Sequence, residues 1–281
     1  MTISPERIVL LGANGMLGSE IRCLCDNDNL TAFDLPDFDI TDKNQLERAL
    51  EKADIVINCT AYTNVEKAET ESEQAFKVNA EAVGNLAQLA RKNNVYVIHI
   101  STDFVFDGEK EAPYLETDKP NPINVYGKSK LDGETLLTKN HNNFAIIRVQ
   151  WTYGKNGTNF IAKLVSLAKQ KDSLKVVNDQ FGSPTSTQEA AEAIVELAVK
   201  KPQGLFHYAA AGFASRYDAA KFTFEKLKLN AKILPCKSNE FPTAAKRPLN
   251  SRFCCDKIQA LLDKPIEEWQ KPLERFLKTI Q

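Results

Sequence analysis

Long apolar runs are absent from this chain of 281 residues. Its hydrophobic residues, 43% of the total, come in short stretches such as IVLLG and IVINCT, far below the ~18 consecutive apolar residues of a membrane span. No membrane partner is expected. A charge excess is also absent: 36 Lys and Arg face 37 Asp and Glu, spread along the chain instead of gathered in blocks. There is no polybasic surface to attract nucleic acid or acidic lipid. Six cysteines are few for this length, and Cys254 and Cys255 are adjacent, a poor geometry for bridging each other, so free thiols are expected. Cys23 and Cys25 have no matching second pair, and His99, His141 and His207 are scattered, so no metal ligands are assigned. The opening MTISPER shows neither a basic segment leading into an apolar one nor a small-residue cleavage site. A cytoplasmic location is the expectation.

Divided by the ~150 residues typical of a domain, the length gives roughly two domain-sized units, able to bury a core without disulfide or metal staples. Short Val/Ile-rich runs alternate with longer helical patterns over the first two thirds, the signature of βαβ units in a doubly wound parallel sheet. The expected strands are Ile8–Leu11, a segment ending near Asp34, Ile55–Cys59, Tyr96–Ile100, Phe144–Val149 and Leu174–Val177, each apolar enough for burial on both faces. Helices are expected near Gly18–Cys25, Lys43–Glu51, Ser72–Asn93, Gly127–Lys139, Phe160–Lys171 and Gln188–Lys200. Within the third, Ala75, Val78, Ala82, Leu86, Leu89 and Ala90 fall close to one stripe. After about Trp151 the pattern loosens. Residues 1–150 thus read as an α/β domain, with elements returning to it later, and 151–281 as mainly a smaller C-terminal lobe.

The first strand runs into Gly12-Ala-Asn-Gly15-Met-Leu-Gly18, a GxxGxxG turn that opens a helix. Residues without Cβ atoms let the backbone turn tightly, admit a pyrophosphate to its N–H groups and pack helix against strand. Asp34 ends the next apolar run, where a carboxylate accepts from adenosine ribose hydroxyls and repels a 2′-phosphate. With no Arg beside it in the sequence, NADH is favoured over NADPH; the competing reading makes Asp34 a cap or turn residue. Asp39-Ile40 either flanks adenine or caps the next helix.

Ser101-Thr102-Asp103 follows the strand Tyr96–Ile100, and Tyr126 and Lys130 are four apart on a later helix, hence on one face. An ammonium beside a phenol is expected to lower a pKa that is ~10 in free tyrosine, so that Tyr126 exchanges protons with a carbonyl or alcohol.

At this point the chain resembles the extended short-chain dehydrogenase/reductase family, and within it the reductases of dTDP-linked keto sugars. The resemblance spans nearly the whole chain. It rests on Gly12–Gly18, Asn58–Val65 with Ala68-Glu69, Ser101–Gly108, Tyr126–Lys130 with Gly133-Glu134, Arg148–Trp151 with Tyr153-Gly154, Asn159-Phe160, Asp179–Thr185, and Arg247-Pro248 with Ser251. It implies a Rossmann-type fold and hydride transfer from NADH or NADPH to the C4 ketone of a dTDP-linked 4-keto-6-deoxy sugar. Tyr126 would be the acid, Lys130 would hold the nicotinamide ribose and tune Tyr126, and Thr102 would bond the substrate oxygen. Gly15, Met16, Leu17, Asp34, Asp39, Ile40, Ala61, Tyr62, Thr63 and Ile100 would surround the cofactor, and Asp103 and Trp151 would touch the sugar nucleotide. Asn159 and Arg247 are further candidates for its nucleotide portion.

Two positions depart from the family pattern: Phe104 replaces a Tyr and Arg216 a Trp. A second acid after Asp103, which the related dehydratases carry, is missing, so reduction is expected over dehydration. Rival readings are another 4-keto sugar as substrate, an epimerase, and a non-catalytic dinucleotide-binding subunit similar to the regulatory partner of methionine adenosyltransferase. The resemblance also allows a homodimer.

Overall fold

A computed structural model describes residues 6–25 and 28–280. Six parallel strands form the central sheet: β1 (Ile8–Leu11), β2 (Leu30–Phe33), β3 (Ile55–Asn58), β4 (Tyr96–Thr102), β5 (Phe144–Val149) and β6 (Gly204–Tyr208). Their spatial order is β6-β5-β4-β3-β1-β2. Successive side chains of a strand point to opposite faces, and the apolar runs exploit this: Ile8 and Leu10 enter one core, Val9 and Leu11 the other. On the first face the helices Met16–Leu24 and Thr187–Lys200 pack together, Ala190, Ala191 and Ala193 allowing close approach to the strands. On the second lie Lys43–Leu50 and Ala82–Asn93. Burial on both faces explains why β1 and β3 are continuous apolar runs. The edge strand β2 is only partly buried.

Two expectations need correction. Leu174–Val177 lies within a strand, Ser173–Val177, but outside the central sheet: it pairs in parallel with Lys232–Cys236. Its burial alternates, Leu174 and Val176 inward and Ser173 and Lys175 outward, as suits a strand covered on one side. The sixth place in the sheet belongs to β6, so a strand and a helix (Thr187–Lys200) from beyond residue 150 complete the α/β layer. The expected helix Ser72–Asn93 is divided: Ser72–Phe76 and Ala82–Asn93 flank a wide π turn at Lys77–Glu81. Such a turn inserts one residue into the helical repeat, and here it places the buried Asn79 against the loop that follows β3.

No helix among the described residues is long and apolar enough to cross a membrane.

Candidate active site

The strand order reverses between β1 and β3, and the crevice beyond the carboxyl ends of strands at such a point is where α/β sheets bind ligands. Gly12 follows β1, Asp34 follows β2, Ala61–Thr63 lie beyond β3, Ile100 and Thr102 end β4, and Trp151 lies beyond β5. The sequence candidates therefore gather at one end of the sheet.

Gly12 has φ +79°, and a Cβ there would stand 2.8 Å from the Thr60 nitrogen. At Gly18 a Cβ would stand 2.0 Å from the Gly12 carbonyl oxygen, so the helix Met16–Leu24 crosses the turn at a distance that excludes any side chain. Gly15 precedes this helix and supplies no side-chain cap; a Cβ there would meet only the Gly12 oxygen, at 3.3 Å. Unsatisfied helix amides reached over an open glycine fit a pyrophosphate. Asp34 ties the turn together: its Oδ2 accepts from the Asn14 N–H at 2.7 Å and its Oδ1 from the Leu35 N–H at 2.8 Å. Although no Arg neighbours Asp34 in sequence, Arg22 donates to the Asn14 side chain at 3.2 Å and so reaches the same corner. Asp39 accepts from the Thr41 N–H, Ile40 is a core side chain, and Asp42 caps the following helix. Tyr62 is held on both backbone groups by Asn79, whose amide also bonds the Ser129 hydroxyl. Asn79 was not identified from the sequence; its one visible sign is a polar residue beside an apolar stripe.

Tyr126 and Lys130 share the first turns of the helix Val125–Asn140, which Asn124 caps and Glu69 anchors through the Val125 N–H. The Lys130 ammonium is buried, donates to the Ile100 carbonyl at 2.7 Å and lies 3.4 Å from His99 Nε2. Burial pushes its pKa down to about 8, and drives that of His99 well below the usual range. The expected lowering of the Tyr126 phenol does not appear. Desolvation pushes it up to about 12, against the pull of the nearby Thr102 hydroxyl. The Lys130 ammonium is turned to the Ile100 carbonyl and the Asp103 charge raises the phenol further, so Tyr126 keeps its proton. Phe104 packs edge-on against Tyr126 with ring centroids 5.6 Å apart.

Thr102 also bonds Asp103, whose Oδ1 accepts at 3.1 Å while Oδ2 is buried without a partner. Burial raises the Asp103 pKa. Trp151 has φ +47°, an uncommon backbone conformation for a bulky residue and one that gathers at functional sites. Two further candidates have partners within the chain. Asn159 caps the helix Phe160–Ala168 and bonds the Gly154 carbonyl, touching Met16 only through its sulfur, and Arg247 is paired with Glu66 at 2.5 Å.

This arrangement of sheet, glycine turn and Thr-Tyr-Lys group is that of a nucleotide-dependent reductase of the extended short-chain type. The model of the RmlD substrate binding domain family matches residues 6–281, and the chain belongs to that family. It is 37% identical over 292 residues to the dTDP-4-dehydrorhamnose reductase of Escherichia coli K12, covering 97% of each chain. A dTDP-4-dehydrorhamnose reductase structure from Clostridium acetobutylicum is similar with a TM-score of 0.93 and 37% identity, covering 98% of this chain and 99% of that one. The Bacillus anthracis enzyme of the same name, solved in complex with NADP, has a TM-score of 0.93 at 33% identity, with 98% and 99% coverage.

Proposed function

We propose that the protein reduces the C4 ketone of dTDP-4-dehydro-L-rhamnose to dTDP-L-rhamnose with NADH or NADPH. The observation that carries this reading is the gathering of Thr102, Tyr126 and Lys130 at the end of β4, in a chain similar over its full length to enzymes of that activity. A reduced nicotinamide supplies the hydride when bound. Tyr126, protonated at neutral pH, gives its proton to the ketone oxygen as negative charge develops there, and Thr102 donates a hydrogen bond to the same atom. Lys130, fixed by the Ile100 carbonyl, has N–H donors left for ribose hydroxyls. Asn79 holds the backbone at Tyr62 in place. Residues 1–150 serve mainly the cofactor and 151–281 mainly the sugar nucleotide. A regulatory subunit has no chemical need for the three groups Thr102, Tyr126 and Lys130 together.

The test is consumption of NADH when dTDP-4-dehydro-L-rhamnose is generated in the same tube by the upstream dehydratase and epimerase. Turnover supports the reading, and tight NADH binding without turnover overturns it. The cofactor corner carries its own prediction. Asp34→Ala weakens NADH more than NADPH, because the lost carboxylate accepts from the ribose hydroxyls of the first and repels the 2′-phosphate of the second. Fluorescence titration of both cofactors checks this; equal weakening makes Asp34 only the tie between Asn14 and Leu35.

A further inference from the structure

Arg216 opens the helix Arg216–Leu227, and its guanidinium carbon stands 3.6 Å from the centroid of the Trp151 ring and 5.0 Å from that of Phe160. The indole below it is closely held. The backbone at Gly182 lies so near that a Cβ there would stand 2.6 Å from Trp151 Cε2. Stacking uses the face of a guanidinium and leaves its N–H edges free to donate. Among the described residues nothing accepts a hydrogen bond from those edges, and no carboxylate lies within ion-pair distance. The nearby charges are Asp103, which accepts from Thr102 through Oδ1 and keeps Oδ2 without a hydrogen-bond partner, and Arg247, which is matched by Glu66. Burial pushes the Arg216 pKa down to about 9, which leaves it cationic at neutral pH. A forked donor, its plane set by an aromatic ring and its edges unmet, suits the oxygens of a phosphate.

We propose that Arg216 is a substrate-binding residue that receives the diphosphate of the nucleotide sugar, with the Trp151 ring holding its guanidinium in place. The inference rests on the reading of the protein as a nucleotide-sugar reductase, and it adds the group that meets the two negative charges of the substrate. Trp151 thereby acts on the substrate through Arg216 as well as directly.

The full-length protein, Arg216→Gln and Arg216→Lys are titrated calorimetrically with dTDP and with NADH, and assayed with the keto sugar. Arg216→Gln is expected to weaken dTDP by about 10- to 100-fold, the worth of a charge-assisted hydrogen bond, with a matching rise in KM and little change in kcat. NADH affinity stays at the parent value, which also reports that the variant is folded. Arg216→Lys, keeping the charge without the fork, falls between. If the parent turns over and Arg216→Gln binds dTDP within about two-fold of it, Arg216 only balances Asp103 and the assignment falls alone. If the parent neither binds dTDP nor oxidises NADH with the keto sugar, the reductase reading falls, and this inference with it.

Discussion

Tyr126→Phe is expected to bind NADH as the parent does and to lose about 10²- to 10⁴-fold in kcat, the usual contribution of a positioned proton donor. The substitution removes one oxygen and leaves the ring against Phe104, so the change is confined to the hydroxyl and its proton. On the proposed reading that hydroxyl is the acid: desolvation pushes its pKa up to about 12, so it holds its proton at neutral pH. Steady-state kinetics with NADH in excess, beside a titration of cofactor affinity, separates the two effects. A variant with the parent kcat takes Tyr126 out of the reaction.

The second large effect concerns stability. Glu134 and Arg148 are both buried, and the guanidinium makes two bonds to the carboxylate, at 2.8 and 2.6 Å, while the Ser101 hydroxyl donates to the same group at 2.5 Å. Arg148 further contacts His207 and stacks over Phe106. Removing one member leaves the other charge buried and unpaired, so Glu134→Ala is expected to cost about 3–5 kcal/mol of unfolding free energy. The double variant Glu134→Leu with Arg148→Met leaves no orphaned charge and should cost less than the single one. Urea unfolding curves measure both. A Glu134→Ala loss below about 1 kcal/mol, the worth of a solvent-exposed pair, contradicts this account. Since Ser101 precedes Thr102 on β4, the pair also fixes the strand end that carries Thr102.

Much of this was legible in the sequence where one residue type had one physical use. The run Ile8–Leu11 is apolar on both faces and gives the boundaries of β1; Phe144–Val149, apolar but for Arg148, gives those of β5. The glycine turn, Thr102, Tyr126 and Lys130 were identified by spacing and fall at one end of the sheet. The misses have particular causes. Strand β6, GLFHY, begins with a glycine and contains His207, whose polarity is met by the Tyr114 carbonyl and by Arg148, partners distant in sequence. Helix Arg216–Leu227 carries a start signal, Ser215 and Asp218 forming a reciprocal cap. The direction of the Tyr126 shift depends on where the Lys130 ammonium turns, which an i to i+4 spacing does not fix. Asn79 acts through a π turn, and a stripe of apolar residues does not reveal one. Arg216 was visible only as a departure from a family pattern; its contact with Trp151 brings together residues from separate parts of the chain.

The most direct test of the central claim is transfer of label. NADH deuterated at the transferring position of its nicotinamide C4 is incubated with the protein and dTDP-4-dehydro-L-rhamnose, and the sugar nucleotide is examined by NMR. The account predicts dTDP-L-rhamnose carrying one deuterium at C4 of the sugar, formed by the parent and lost with Tyr126→Phe. Recovery of the unreduced keto sugar while NADH remains bound, or NADH oxidation that places no deuterium on the sugar, would contradict it.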